Sequence, residues 1–332
     1  AEALQTENRK RALQRAALWG GMALMLYGSY FLWRYSYYDY LLPNTYYAKS
    51  EPSLSIFSRG LGYITTSGLN YHLIAMFAGM AVLLGRLRLR HDAAYMIALT
   101  AAMLAGIVFE GGDDFGHGRF VVPMLPLLFL GGLAGFAVLL KRAALEPLQV
   151  ALVATVALSL AGLSLLPHSH NPALPRGRDA DVERRLLGTW LNEHTPADYT
   201  IAAYAIGAIS YYGNDRDFLD LLGLNDVTIA HTDVPNLGEG LLGHEKYNID
   251  YVLKDVRPEI IVVNDADQGP LTKEQLQRLF SIPSPVEGRN KLLTDPRLWE
   301  RYEARSLEID GKWFNFLQRA DTVDELQGPG LQ

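Results

Sequence analysis

The stretch Gly111–Arg119, GGDDFGHGR, lies between an apolar run that ends near Phe109 and another that begins at Phe120, and its reading decides what the rest of the chain is. Two carboxylates, an imidazole and a guanidinium share nine residues with four glycines. As a short solvated hairpin between two ordinary helices, such a cluster needs no function. At the edge of two membrane spans, ionisable groups persist only where they face water, a partner or a substrate, which makes the stretch a functional-site candidate.

The average composition conceals the choice. The chain has 332 residues, 49% of them hydrophobic, and its mean hydropathy is +0.03. Residues 15–166 are strongly apolar, whereas residues 167–332 have the make-up of a soluble domain, so the two halves expect different solvents. The fold class expected is an α-helical polytopic membrane domain with about five spans over residues 1–170, followed by an extracytoplasmic α/β domain over residues 171–332. A net charge of −6 with no basic tract argues against a nucleic-acid partner. The lack of cysteine excludes disulfides, thiol nucleophiles and cysteine metal sites. The first residue is Ala, and the charged, helical Ala1–Arg15 has no signal-peptide core, so the expectation is a chain whose N-terminal part is missing.

Five apolar runs are candidate spans: Ala16–Trp33, Tyr71–Leu84, Ala93–Phe109, Phe120–Leu140 and Leu148–Leu166. A span takes roughly 17 to 25 residues, so the second and third must be tilted or extended by their flanks. Arg9, Lys10, Arg11 and Arg15, then Arg86, Arg88 and Arg90, then Lys141 and Arg142 alternate as positive-inside loops. The opposite face then receives Arg34–Asn70, the Gly111–Arg119 loop and everything after Leu166.

The first of these outer segments opens with Trp33, Tyr35, Tyr37, Tyr38 and Tyr40, an aromatic belt at headgroup level. A turn at Pro43-Asn44 follows. Leu54, Ile56, Phe57, Leu61 and Ile64 then recur at helical spacing, as in a helix lying in the interface. Lys49 places an ammonium just outside the bilayer, suited to a lipid or substrate phosphate. His168 and His170 lie in a Pro/Asn/Gly linker, where solvation is the simpler reading than metal binding; no ligand set is complete.

In the tail, Asp181–Glu193, Lys273–Phe280 and Asp295–Ala304 have helical patterns, while Thr200–Tyr204 and Glu259–Val263 read as buried strands. Ser306–Ile309, Asp310-Gly311 and Lys312–Leu317 read as a hairpin with a type I′ turn, and the residues from Ala320 on are expected to fray. Asp220-Leu-Leu-Gly-Leu-Asn225-Asp226, near His231, is the most polar cluster; it is either a substrate contact or a set of capped strand-end turns. Dinucleotide, Walker, serine-hydrolase and zinc-protease motifs are absent.

LPNTYYAK (Leu42–Lys49) and GGDDFGHGRFVVP (Gly111–Pro123), together with AIGAISYYG and FLDLLGLNDVTIAH in the tail, carry a resemblance over most of the chain. They resemble the membrane arabinofuranosyltransferases of the glycosyltransferase C-type fold, the group of the mycobacterial terminal arabinofuranosyltransferase and the pilin arabinofuranosyltransferases. That resemblance implies transfer of a sugar, arabinofuranose among the candidates, from a polyprenyl-phosphate donor to a cell-envelope glycan or glycoprotein acceptor. The reaction would take place at the outer face of a bacterial cytoplasmic membrane. Arg119 and Lys49 would hold the donor phosphate, Asn44, Tyr47, Asp220 and Asn225 would bind substrate, and Asp113, Asp114 and His117 would be catalytic candidates. The loop has Asp113-Asp114-Phe115-Gly116 where the family pattern has one Asp, a Phe and a Met, and C-type enzymes carry their catalytic carboxylate in a first outer loop. The base is therefore expected outside this sequence. No cofactor is expected, with a divalent metal left open. The rival from a different class is a non-catalytic membrane protein, a polyprenyl-linked sugar flippase or an envelope scaffold, with a binding tail.

Overall fold

The computed structural model describes residues 9–113, 118–143, 173–235, 237–263, 266–279 and 286–332. The chain divides into two units, Ala1–Pro43 with Phe57–Ser169 and Asn44–Ile56 with His170–Gln332. The second unit thus takes Asn44–Ile56 out of the 1–170 domain that hydropathy suggests.

The first unit is helical. It contains α1 (Arg9–Tyr38), most of α3 (Leu54–Asn70), α4 (Leu73–Leu84), α5 (Arg90–Glu110) and α6 (Leu125–Arg142), the last preceded by a 3-10 turn at Val122–Met124. Two stretches of 21 residues, Arg90–Glu110 and Val122–Arg142, are long and apolar enough to cross a membrane; α3 and α4 meet at a 78° bend and would together make a third. The run Tyr71–Leu84 therefore contributes only the second arm of that bent pair. The helix containing Ala16–Trp33 is long enough at 30 residues, but its Trp, Tyr and Gly content leaves it short of the same apolarity. The run Leu148–Leu166 lies outside the described residues.

What holds this unit together is close backbone approach. A Cβ on Gly79 of α4 would collide with the Gly132 carbonyl oxygen of α6, and one on Gly135 with that of Gly79. Small residues at a crossing let two helices touch along their backbones, the usual packing device where burial from water supplies no driving force. Gly60 does the same for α3 against α5, with Val108 O 2.6 Å from where its Cβ would be. Leu73, Met76, Met80, Val121, Met124 and Leu128 fill the space around the α4–α6 crossing. Outward, Leu130, Leu133, Ile74 and Tyr95 are exposed, which is the distribution expected when the surroundings are lipid.

The second unit is built on a five-stranded mixed sheet in the order β2-β1-β3-β5-β4. β1 (Thr200–Ala203) pairs in parallel with β2 (Asp217–Asp220) and with β3 (Ile260–Val262); β5 (Lys312–Arg319) runs antiparallel to β3 and to β4 (Tyr302–Ile309). Side-chain alternation divides the core between two faces. Ala202, Leu219, Ile261 and Leu317 face a layer formed by Val252, Leu253, Leu276, Leu292 and Leu298. Ile201, Ile260, Val262, Phe314 and Phe316 face Leu187, Trp190 and Leu191 of α7 (Ala173–His194). The central parallel strands are buried on both faces, which is why they read as unbroken apolar runs.

The hairpin has the expected turn, with φ of 50° at Asp310 and 74° at Gly311, both positive as type I′ requires. Two tail expectations are corrected. The helix after Asp295 stops at Arg301, because Tyr302–Ala304 are needed to pair with Leu317–Arg319. The end of the chain is not frayed: Leu326 is 2% exposed, Trp190 Nε1 donates to the Pro329 carbonyl, and Leu331 bridges to Leu307 on the outer edge of β4.

Candidate functional site

The polar residues singled out from the sequence fall in two places, one in each unit. In the first, α5 ends at Glu110, and Gly111 (φ 83°) terminates it in the left-handed conformation that glycine adopts at helix ends. Gly112 follows at φ 80°, where a Cβ would lie 2.6 Å from the Tyr63 Cβ; Gly118, at φ 62°, lies against Tyr71 and Ser67. Both positions require glycine twice over, by dihedral angle and by space.

The turn brings Asp113 and Arg119 together. Arg119 Nε donates to Asp113 Oδ2 at 2.5 Å and its NH2 group to Oδ1 at 2.8 Å, a bidentate fork. The two ends of the pair are unequal, since the Asp113 side chain is 2% exposed and that of Arg119 49%. The guanidinium also lies 5.4 Å from the Phe120 ring centroid. Arg59 Nε donates to the Gly111 carbonyl at 3.3 Å, and the Phe120 N–H donates to the Tyr63 hydroxyl at 3.2 Å. Arg59 and Tyr63 belong to α3, a helix whose sequence shows only its apolar spacing. Their hint was a lone arginine in an otherwise apolar and hydroxylic segment. Asp114 and His117 lie outside the described residues.

The second place gathers five of the remaining candidates. α2 (Asn44–Lys49) and the residues after it pack on the loops that follow β2. Asn44 Nδ2 donates to the carbonyls of Gly223 at 2.9 Å and Asp226 at 3.1 Å. The Tyr47 and His231 rings are 4.3 Å apart. Lys49 runs its stem past Gly243, where φ is 77° and a Cβ would be 2.9 Å from Lys49 Cε. Glu51 accepts from Lys246 Nζ at 2.7 Å; that ammonium, on a side chain 1% exposed, donates also to the Thr232 carbonyl.

Asp220 is buried at the end of β2, its carboxylate accepting the backbone N–H groups of Leu222 at 3.0 Å and Asn225 at 2.8 Å. Burial pushes its carboxyl up from the ordinary value, and these N–H donors oppose the shift. Asp226 caps the next short helix by accepting from Ile229 N at 2.7 Å. Asp220 and the backbone of Asn225 close a loop, and Asn44 ties that loop to α2. Among the described residues no cluster of three or more His, Asp or Glu side chains is arranged to hold a metal.

Residues 176–317 match a family model described as "Domain of unknown function (DUF8728)". No curated protein and no solved structure matches the chain.

Proposed function

We propose that this chain serves a membrane glycosyltransferase that takes a sugar, with arabinofuranose a candidate, from a polyprenyl-phosphate donor. The acceptor is a glycan or glycoprotein, and transfer takes place at the outer face of a bacterial cytoplasmic membrane. The observation that carries the reading is the Asp113–Arg119 fork, set by glycines that admit no other residue at the end of an apolar helix of spanning length. Three sequence stretches supported the resemblance, and two of them, around Asn44 and around Gly223-Leu224-Asn225-Asp226, are joined by hydrogen bonds in one unit.

The chemistry assigns roles. Departure of a lipid phosphate leaves negative charge on oxygen while the sugar gains oxocarbenium character. A fixed guanidinium next to that oxygen lowers the barrier without having to reorganise. The Nε edge of Arg119 is engaged by Asp113, so the phosphate meets another edge of the same planar group, and Asp113 acts as a positioning residue that sets the plane. The acceptor proton goes to a carboxylate base that this reading does not assign to the described residues.

The test is sugar transfer from a polyprenyl-phosphate donor by the full-length protein in membranes, with protein level and folding checked. Arg119→Lys retains charge but loses the fork, and the expected loss is about 30-fold to 1000-fold in rate, from about 2 to 4 kcal/mol of charge-assisted contact. Activity within a few fold of wild type would remove Arg119 from the site. Asp113→Asn keeps the shape and is expected to lower kcat with KM nearly unchanged, because it loosens the orientation of Arg119 and leaves the guanidinium in place.

A further inference from the structure

A second cationic site lies in the second unit, built from residues that belong to neither of the two places described above. The segment before β3 winds as a π-helix over Tyr251–Val256, and Arg257 ends it at φ 51°, its N–H donating to the Val252 carbonyl at 2.9 Å. Single π turns are rare and recur at functional sites, and a bulky non-glycine residue at positive φ is an outlier that points the same way. Beside Arg257 is an open recess of about 470 Å³, lined also by Val256, Arg301, Arg319, Ala320 and Asp321.

The three arginines of this recess are not equivalent. Arg319 is tied down, with Nε on Asp321 Oδ1 at 2.6 Å and NH1 on Glu259 Oε1 at 2.6 Å and on the Arg257 carbonyl at 2.6 Å. Arg301 donates NH1 to the Leu253 carbonyl at 2.9 Å. Among the described residues neither Arg257 nor Arg301 has a carboxylate within ion-pair reach, although the tail as a whole is acidic. Two guanidiniums beside a third repel one another unless an anion lies between them, and with three arginines against the one carboxylate of Asp321 the recess carries an excess of positive charge that concentrates anions.

We propose that this recess binds a phosphate-bearing ligand, with Arg257 and Arg301 taking the phosphate oxygens and Arg319, anchored by Glu259 and Asp321, forming a fixed wall. A phosphate monoester carries about −1.5 to −2 at neutral pH and so matches two guanidiniums that have no carboxylate partner, where a single carboxylate does not. The planar arginine fork suits tetrahedral oxyanions and can bind two oxygens at once. The site is independent of the glycosyl-transfer reading, which uses neither Arg257 nor Arg301.

The phosphate can come from a soluble metabolite or from a lipid headgroup. The experiment is therefore a titration of the full chain in detergent with glycerol 3-phosphate in one arm and dihexanoyl phosphatidic acid in the other. Glycerol and dihexanoyl phosphatidylcholine at matched ionic strength are the blanks. Saturable binding is expected in at least one arm, and the arm that binds more tightly identifies the source. Arg257→Gln and Arg301→Gln are each expected to weaken it by about tenfold or more. Arg297→Gln, which removes an arginine already paired with Asp250 and Asp295, is expected to leave it unchanged. Thermal unfolding of each variant separates lost binding from lost folding. No saturable binding in either arm, or binding that Arg257→Gln and Arg301→Gln leave within about twofold of wild type, overturns the proposal.

Discussion

In the first unit large apolar side chains such as Leu130 and Ile74 face outward and glycines make the close contacts; in the second, Phe314, Phe316 and Leu317 are inside and the contacts are side chain against side chain. Both regions are rich in the same residue types, so hydrophobicity alone does not distinguish them. A first unit that crosses a membrane on its two helices of spanning length would account for the difference, because the two units would then fold against different solvents. Water rewards the second unit for hiding its aliphatic groups. Lipid would offer the first no such reward, leaving dispersion contacts between backbones brought within reach by Gly79, Gly132 and Gly135.

The largest effects should come from opposite changes of size. Adding one methyl at Gly135 drives it into the Gly79 carbonyl, and Gly135→Ala is expected to cost about 3 kcal/mol or more. In the sheet the damaging change is removal: Leu317→Ala opens a cavity at a position 0% exposed and is expected to cost about 2 to 5 kcal/mol. Unfolding of the detergent-solubilised protein, followed by Trp fluorescence and by limited proteolysis of each unit, checks both. A Gly135→Ala protein as stable as wild type would mean that the helices do not pack through their glycines.

The second prediction sharpens the border between the units. A fragment of residues 173–332 lacks Asn44, Tyr47 and Glu51, which leaves Lys246, with a side chain 1% exposed, without its carboxylate partner. Breaking a buried pair costs about 3 to 5 kcal/mol, but Glu51 is 52% exposed, so solvent screening reduces the expectation to about 1 to 3 kcal/mol. A synthetic peptide of residues 42–57 added in trans should recover part of the loss in urea unfolding. A fragment that is fully stable, and indifferent to the peptide, would assign Asn44–Ile56 to the first unit after all.

The smallest effect is a pH dependence confined to the second unit. Burial, reinforced by the hydrogen bond to Glu325, pushes the Tyr199 phenol up from 10.0 to about 12. A group that holds its proton more tightly when folded lends stability that is complete below its unfolded pKa, here 10.0, and is lost as pH climbs through about 12. Alkaline unfolding of the tail between those values should therefore be shallower in Tyr199→Phe, whereas the first unit should show no difference between the two proteins.

How much of this was legible in the sequence follows the range of the interactions. The hairpin was plain because Asp310-Gly311 carries its own turn chemistry, and the helices over Ala93–Phe109 and Phe120–Leu140 because their apolar runs are continuous. β2 was not, since a four-residue strand with aspartate at both ends has too little pattern to separate it from a turn. The Asn44–Ile56 insertion was invisible for a different reason: Asn44 meets Gly223 across 179 residues, and local periodicity does not report contacts of that range. At the loop, the sequence left open which of two adjacent aspartates matters. Geometry pairs Asp113 with Arg119, while Asp114 lies outside the described residues, and it adds Arg59 and Tyr63 from a helix whose spacing signalled only an apolar face.

Because Asn44–Ile56 belongs with residues that follow His170, the order of synthesis matters. When the ribosome has made the LPNTYYAK stretch, its partners do not yet exist, since Gly223 lies 179 residues beyond Asn44 and Asp226 lies 182 residues beyond it. At about 5 to 20 residues per second the wait is roughly 10 to 35 seconds. Throughout that interval the segment belongs neither to the helical unit of its sequence neighbours nor to a finished second unit, which closes only when residues beyond His170 have been made. A nascent chain stalled before Asp220 should accordingly leave this segment open to protease, and one released after Gln332 should protect it.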